Sequence, residues 1–258
     1  MGVLVLAGVV MIFLPLVLTL YLSFFDEKLI IFPPRGYTLH WYLAAIPHFG
    51  GALITSLEVA AIAVSLSLLI GVPAGIAIAR RRFRGRGVVS TLLLAPLTVP
   101  GIALGLAIYV LAVAVEERTG AALAGSFVVL AGAHLLITIP WVVRLCVASL
   151  VNQDEAAEEA AASLGARPLV VLWRITLPSM RQGILAATLF AFIISFGELE
   201  MTLFLVGPGM TTLPIAVLEY LKYHIDPLIS AMAVLQMLVI GVALTLLDRY
   251  VRLGGIVR

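Results

Sequence analysis

Six long apolar stretches constrain the fold of this 258-residue chain more than any other feature of its sequence. They cover approximately residues 3–25, 53–79, 91–115, 126–149, 183–205 and 227–247. Each stretch is long enough to cross about 30 Å of hydrocarbon as a helix. A helix satisfies its own backbone hydrogen bonds, which no other open-chain structure does in lipid. The sequence therefore predicts an all-α membrane protein, with about six transmembrane helices in a single domain over residues 1–258.

The composition also indicates that lipid surrounds the chain. Hydrophobic residues make up 62% of the sequence and charged residues 12%, whereas a soluble domain is nearer half apolar and one quarter charged. The single cysteine, Cys146, lies inside an apolar stretch. Neither an internal disulfide nor a cysteine-based metal site is therefore expected.

Basic residues are distributed unevenly among the connections. Eleven lie between the second and third stretches, between the fourth and fifth, or after the sixth: Arg80, Arg81, Arg82, Arg84, Arg86, Arg167, Arg174, Arg181, Arg249, Arg252 and Arg258. Four lie in the remaining connections: Lys28, Arg35, Arg118 and Lys222. Because basic loops stay on the cytoplasmic side, both termini are predicted to be cytoplasmic. The arginine run at residues 80–86 could instead bind nucleic acid, but Phe83 is the only aromatic residue within it, and no nucleic-acid partner is expected.

Proline and glycine mark the places where the helices should be irregular. The outer segments 26–51 and 206–226 are rich in both residues. The first is expected to be an irregular interfacial segment, and the second a re-entrant turn or a short helix. Pro96 and Pro100 interrupt the third stretch and Pro140 the fourth, and each permits a kink.

Enzyme motifs are missing from the sequence. The two lysines, Lys28 and Lys222, do not follow glycine, which excludes a Walker A phosphate loop. The four histidines are scattered without metal-ligand spacing, and no Gly-x-Ser-x-Gly sequence occurs. His134, alone in an apolar helix, is interpreted as a packed or backbone-bonded side chain. We therefore expect no catalytic site, no metal and no bound cofactor in this chain.

Residues 151–182 interrupt the apolar pattern, and we call them the polar segment. Asn152 and Glu155 resemble a capping box at a helix start, and Gly165 can end that helix in the left-handed conformation. The sequence predicts two short helices on the cytoplasmic face, the first with exposed acids and alanines. Such a helix suits a groove on another protein, although a solvated amphipathic loop would have the same pattern.

The spacing within the polar segment resembles a known motif. Its residues are Glu159-Ala160-Ala161, Gly165 after three residues, Ile175 after nine more, and Leu177-Pro178 after one more. This spacing matches the EAA motif of binding-protein-dependent ABC importer permeases, and the resemblance covers most of the chain. It implies a type I ABC importer transmembrane domain of the MetI-like class. It also implies that six residues couple the chain to an ATPase: Glu158, Glu159, Ala160, Ala161, Gly165 and Arg167.

The resemblance implies partners as well as a fold. Permeases of this family work in pairs, with two copies of an ATPase subunit below and an extracytoplasmic solute-binding protein above. By analogy with polyamine systems, the second permease is expected to differ from this chain. ATP would bind in the ATPase subunits and drive alternating access. Lipids would surround the chain in a bacterial or archaeal cytoplasmic membrane.

Two outer segments, 32–42 and 207–214, are similar to those of spermidine/putrescine-type permeases. Those permeases typically carry adjacent acids near the end of the fifth span, where this chain has Ser195-Phe196-Gly197-Glu198-Leu199-Glu200. Carboxylates in membranes usually face water, a partner or a ligand. The candidate path residues are therefore Ser195, Glu198, Glu200 and Glu58. If the helix instead ends near Phe196, both acids would lie at the outer interface.

Other cargoes and mechanisms stay open at this level. Importers for ferric iron, thiamine and aminoethylphosphonate share the architecture, so a polyamine or similar small solute is one expectation among several. A channel or a secondary transporter would also cross the membrane several times, although neither needs an acidic docking segment.

Overall fold

The computed structural model describes residues 2–28, 31–151 and 153–253. Asn152 of the predicted capping box and Arg258 of the predicted cytoplasmic arginines lie outside the described residues. The described chain forms two isolated bridges but no strand, and contains eleven α-helices. They are α1 Gly2–Leu22, α2 His40–Arg80, α3 Arg86–Leu94, α4 Gly101–Thr119, α5 Phe127–Val151, α6 Ala156–Ser163, α7 Pro168–Val171, α8 Leu177–Ser179, α9 Arg181–Phe196, α10 Leu213–Leu221 and α11 Pro227–Leu253. The predicted all-α fold is confirmed.

The membrane class of the fold follows from the length and apolarity of these helices. Four described helices are long and apolar enough to cross a membrane unbroken: Leu4–Leu22, His40–Arg80, Phe127–Val151 and Pro227–Leu246. Two bent pairs would add two spans: Arg86–Thr98 with Gly101–Thr119, bent by 104°, and Pro168–Ser179 with Arg181–Phe196, bent by 69°. By length and composition, the described chain therefore has between four and six membrane-crossing elements.

The helix of the second stretch begins earlier than predicted. The sequence predicts an irregular segment up to Gly51, but α2 starts at His40 and runs for 41 residues. Trp41 and Phe49 are buried in this added part. The Trp41 indole donates a hydrogen bond to the Phe25 carbonyl oxygen over 2.7 Å. These tertiary contacts outweigh the weak helix propensity of glycine, so the helix continues through the glycine pair.

The third stretch, predicted as one span over 91–115, is two helices. A 3-10 turn follows α3, and the chain turns by 104° before α4. Val99, the residue before Pro100, is extended with φ −96° and ψ 131°, because a proline pushes its predecessor out of the helical conformation. The predicted interruption at Pro100 is thus confirmed. Pro140 has no such effect, since α5 continues through it.

The prediction of one helix over 183–205 is wrong. Helix α9 ends at Phe196, and residues 197–205, here called the carboxylate loop, leave the helix. The Glu198 carboxylate accepts the Met201 backbone N–H over 2.8 Å, which replaces a helical hydrogen bond. Hydropathy counts the apolar residues of this loop but does not register such a side-chain cap. The alternative helix end near Phe196 is therefore the observed one.

The chain divides into two compact units, Met1–Thr55 with Thr211–Thr245, and Ser56–Met210 with Leu246–Arg258. In the first unit, the Tyr220 ring packs against Phe49 with centroids 5.6 Å apart. The Tyr220 hydroxyl donates to the Asp226 carboxylate over 2.7 Å. Burial, together with this hydrogen bond, raises the pKa of Tyr220 to about 12. The hydroxyl therefore stays protonated and keeps its bond at neutral pH.

In the second unit, glycines let three helices approach closely. A Cβ added to Gly71 on α2 would lie 2.7 Å from Cγ1 of Val142 on α5. One added to Gly75, a turn further on, would lie 2.7 Å from Cβ of Cys146. Gly183 on α9 meets α5 in the same way. Contact between helices through small residues is a main source of packing energy inside a membrane.

We expect Gly75→Leu to destabilise the protein by about 1–3 kcal/mol, the usual cost of overpacking, because its side chain would overlap Cys146. Gly132→Leu is the matched control, since a Cβ at Gly132 meets nothing within 4 Å. The measurement is the temperature at which detergent-solubilised protein stops being monodisperse. Equal temperatures for the two variants would contradict the packing described here.

Candidate functional site

Local hydrogen bonds close both ends of α6, the first helix of the polar segment. At its start, the Asp154 carboxylate accepts the Ala156 N–H over 3.0 Å. At its end, Gly165 adopts φ +81°, the left-handed conformation that the sequence predicts. The Ala166 N–H then bonds to the Ala161 carbonyl oxygen over 3.0 Å, as in the Schellman motif. The helix and its end are therefore fixed by the chain itself.

The second helix of the polar segment is interrupted. It runs over Pro168–Ser179 and contains a π turn at Leu172–Thr176. Three large apolar side chains beside the acids of α6 are exposed: Leu164 (89%), Leu169 (68%) and Trp173 (68%). Exposed apolar side chains grouped in this way are typical of a surface that another protein covers.

Arg80, the last residue of α2, attaches the polar segment to the helical core. Its guanidinium lies 3.1 Å from Glu155 Oε1 and 3.4 Å from Glu158 Oε1, and it donates to the Gln153 carbonyl oxygen over 3.4 Å. The Arg80 side chain is only 9% exposed. Gln153 in turn donates from its side-chain amide to the Ser179 carbonyl oxygen over 2.8 Å. Arg80 and Gln153 thus connect the end of α2 with the beginning and the end of the polar segment.

This attachment separates the predicted coupling residues into two groups. Glu158 is half-buried and faces Arg80. The exposed members are Glu159, Ala160, Gly165 and Arg167, and Ala161 is half-buried. Glu155, predicted to complete a capping box, binds Arg80 instead. The ion pairs could not be predicted from the sequence, because Arg80 is 75 residues from Glu155.

The carboxylate loop forms a second candidate site. Glu198 is half-buried and Glu200 is exposed. Both approach Gly101, the first residue of α4: a Cβ there would lie 2.9 Å from Glu200 Oε2 and 3.7 Å from Glu198 Oε1. The start of a helix carries a partial positive charge that favours carboxylates. The two acids therefore share one place, although their i, i+2 spacing would put them on different faces of a continuous helix.

The backbone of the carboxylate loop touches α4 directly. A Cβ on Gly105, one turn after Gly101, would lie 2.5 Å from the Met201 carbonyl oxygen and 2.9 Å from its Cα. Met201 and Leu205 are fully buried and form a core cluster with Val59 of α2. The loop is thus held from two sides while its carboxylates stay at its edge.

Ser195, predicted to line the path, is buried in the protein interior. It is 3% exposed, and its hydroxyl oxygen lies 2.9 Å from Nδ1 of His134 on α5. Nε2 of His134 lies 3.0 Å from the Thr202 hydroxyl oxygen. His134 is packed, as interpreted from the sequence, but both of its ring nitrogens contact side-chain hydroxyls and not the backbone. In the sequence, Ser195 and Thr202 lie on either side of the two glutamates of the loop. This pattern was the one sequence feature that could have indicated hydroxyl partners for His134.

Glu58, the fourth predicted path residue, is exposed on α2. It precedes Val59, whose side chain packs with Met201 of the carboxylate loop. Three of the four predicted path residues thus lie in or beside the loop: Ser195, Glu198 and Glu200. Glu58 is next to a residue that supports it.

Comparisons with known proteins agree on one family. The model for binding-protein-dependent transport system inner membrane components matches residues 71–253. The putrescine transport system permease protein PotI of Escherichia coli K12 is 31% identical over 243 residues, which cover 93% of this chain and 86% of that protein. The molybdenum transport system permease protein ModB of Mycobacterium tuberculosis is 33% identical over 216 residues, covering 80% and 81%. The spermidine/putrescine transport system permease protein PotC of Haemophilus influenzae is 27% identical over 219 residues, covering 84% and 82%.

Solved structures share the fold at low sequence identity. A chain of a bacterial ABC transporter involved in the import of the acidic polysaccharide alginate superposes with a TM-score of 0.70 and 16% identity, covering 96% of this chain and 94% of that one. A chain of the inward-facing MetNI methionine ABC transporter gives a TM-score of 0.63 and 14% identity, covering 83% and 98%. The type I ABC importer transmembrane fold is therefore confirmed.

Arg80→Gln is expected to loosen the polar segment, because a charge-assisted contact of about 1–2 kcal/mol is lost. Amide hydrogen exchange over residues 153–163 should become about fivefold faster, as measured by mass spectrometry of the purified protein. Arg81→Gln, a change at the next and exposed residue, is the control and should leave exchange unaltered. Exchanging the charges in Arg80→Glu with Glu158→Arg should restore part of the protection. Identical exchange in both single variants would disprove the attachment.

Proposed function

Because the chain belongs to the family of binding-protein-dependent transport system inner membrane components, we propose that it forms half of a solute path and couples that path to a separate ATPase subunit. As a member of this family, it is a permease component of an ABC importer and not a catalytic subunit. It is a multi-pass protein of the bacterial inner membrane. The same membership favours an ATP-driven importer over a channel or a secondary transporter.

The exposed surface of the polar segment is the observation that carries the coupling role. Glu159 and the turn at Gly165 are exposed on a helix whose ends are closed by its own hydrogen bonds. Leu164, Leu169 and Trp173 add apolar area to the same surface. An amphipathic helix of this kind docks into a groove on a partner. The partner we propose is the ATPase subunit, on the cytoplasmic side that the arginines indicate.

The remaining assembly is proposed by family analogy. Two copies of the ATPase would bind ATP, and a second permease, different from this chain, would complete the path. An extracytoplasmic solute-binding protein would deliver the cargo. Closure of the ATPase dimer would move the polar segment through its docking surface, and the path would open alternately to the two sides.

We propose a small cationic solute of the polyamine class as cargo. Two carboxylates stand at the break after α9, and residues 197–205 contain no Lys, Arg or His. Relatives named for putrescine and spermidine transport support the same class. An oxyanion is the second candidate, because a relative named for molybdenum transport is similarly close. The two acids favour the cation, since an anion would meet like charge there.

Glu159→Lys is expected to abolish at least nine tenths of uptake while the protein remains inserted, because charge reversal at the docking surface opposes partner binding. ATP hydrolysis in the assembled complex should no longer respond to the loaded binding protein. Glu117→Lys, a reversal at an exposed position of α4, is the control and should keep both activities. The measurement is ATPase activity and uptake in the same proteoliposomes. Normal coupling in Glu159→Lys would refute the docking role.

Replacing the exposed acid in Glu200→Gln should reduce putrescine uptake about tenfold, because one attractive charge is removed from the path. Glu198→Gln should reduce uptake less than Glu200→Gln does, but it should lower the thermal stability more, since Glu198 caps the Met201 amide. Glu219→Gln, at an exposed position of α10, is the control. The assay compares labelled putrescine with molybdate in whole cells. Unaltered putrescine uptake in the Glu198→Gln, Glu200→Gln double variant would remove both acids from the path.

A further inference from the structure

The polar segment connects α5 and α9, and these two helices are joined again at their far ends. Near the polar segment, Gly183 of α9 packs directly on Ser149 of α5. At the far end, His134 of α5 contacts Ser195 in the last turn of α9. From His134 to Val151, α5 is about 26 Å long at 1.5 Å per residue. The two helices therefore form a hairpin with a joint at each end.

His134 is placed to hold both sides of the break after α9. Its Nδ1 reaches Ser195, before the break, and its Nε2 reaches Thr202, after it. A neutral imidazole offers one donor and one acceptor, and a hydroxyl can complement either. All three side chains are 3% exposed or less, so no water competes for these bonds. The His134 side chain thus has a partner for each ring nitrogen, and these partners are seven positions apart in the sequence.

Residues 197–201, which lie between Ser195 and Thr202, are not helical. Irregular backbone in a membrane persists only where protein or a water-filled cavity supports it. Here the support comes from the Glu198 cap, from Gly105 of α4 and from His134. Of these three, His134 alone contacts both the last turn of α9, at Ser195, and the carboxylate loop, at Thr202.

We propose that His134 is a positioning residue that fixes the carboxylate loop to α5, so that α5, α9 and the loop move as one body. Displacement of the polar segment is then delivered to Glu198 and Glu200 about 25 Å away, as the helix rise gives. The transmission step rests on the proposed coupling function. The attachment of the loop by His134 does not depend on it.

The chain offers matched controls for each bond. Thr202→Val removes a fully buried hydroxyl that bonds to His134, whereas Thr138→Val removes a fully buried hydroxyl that bonds only to backbone oxygens of its own helix. For Ser195→Ala, which removes the other hydroxyl partner of His134, the matched control is Ser67→Ala, because the Ser67 hydroxyl bonds to the Val64 carbonyl oxygen.

The test measures how readily a cysteine in the carboxylate loop becomes accessible to a reagent in water. Leu199→Cys is introduced into a Cys146→Ala background, and inner-membrane vesicles with the whole transporter are treated with a water-soluble maleimide. We expect Thr202→Val and His134→Leu to raise the labelling rate about fivefold or more, as for lost buried hydrogen bonds. Thr138→Val should label like the parent. Adding Ser195→Ala and Thr202→Val to His134→Leu should change the rate no further, because the bonds share one partner.

Two results would overturn the proposal. Equal labelling of Thr202→Val and Thr138→Val, or effects that simply add to that of His134→Leu, would remove His134 as the anchor. For the transmission step, ATP with vanadate should change labelling of the parent at least threefold, and Thr202→Val should abolish this response. A parent without the response would refute transmission. If no ATPase subunit co-purifies with the chain, the proposed function fails instead, while the basal labelling still decides the role of His134.

Discussion

In hydrocarbon, a backbone group that leaves a helix finds no water, so each break in a membrane helix needs hydrogen-bond partners from the protein. In the part of the chain that the structure describes, two such breaks lie before Gly101 and after Phe196. At the second break a glutamate caps an amide, and a histidine bonds hydroxyls on both sides. Glu198, which we propose for the solute path, is therefore also a group that keeps the chain folded. Replacing the glutamate or the histidine leaves its partner buried and unpaired, which costs more than the bond itself contributed.

Two kinds of joint hold the described parts of the second unit together, and they respond differently to force. Helices α2 and α9 pack on α5 at Gly71, Gly75 and Gly183, where an added Cβ would overlap side chains of α5. Such close-packed contacts tolerate little displacement. The polar segment is attached to α2 by Arg80 through ion pairs on long side chains, whose energy changes slowly with distance. The ion pairs at Arg80 therefore tolerate more displacement than the contact between α5 and α9 at Gly183.

The sequence predicts the helices well and their breaks poorly, for a physical reason. Apolar length sets which stretches can cross lipid, and Gly165 and Pro100 act locally, so both were predictable from their residues alone. The end of α9 at Phe196 depends on a cap from Glu198 and on His134, 61 residues from its partner Ser195. The inward orientation of Glu158 depends on Arg80 in the same way. Partners distant in the chain leave no periodic pattern, which is why the candidate residues were found but their roles were not separated.

The electrostatics of the carboxylate loop bear on the sign of the proposed cargo more than on its identity. A helix N-terminus supplies roughly half a positive charge, and Gly101 places that charge beside Glu198 and Glu200. When both acids are ionised, about one and a half negative charges remain uncompensated on this estimate. Because residues 197–205 carry no basic side chain, the remaining negative charge favours the proposed small cation over an oxyanion. Charge alone does not distinguish one diamine from another, so under the proposed function the finer selection falls to the solute-binding protein.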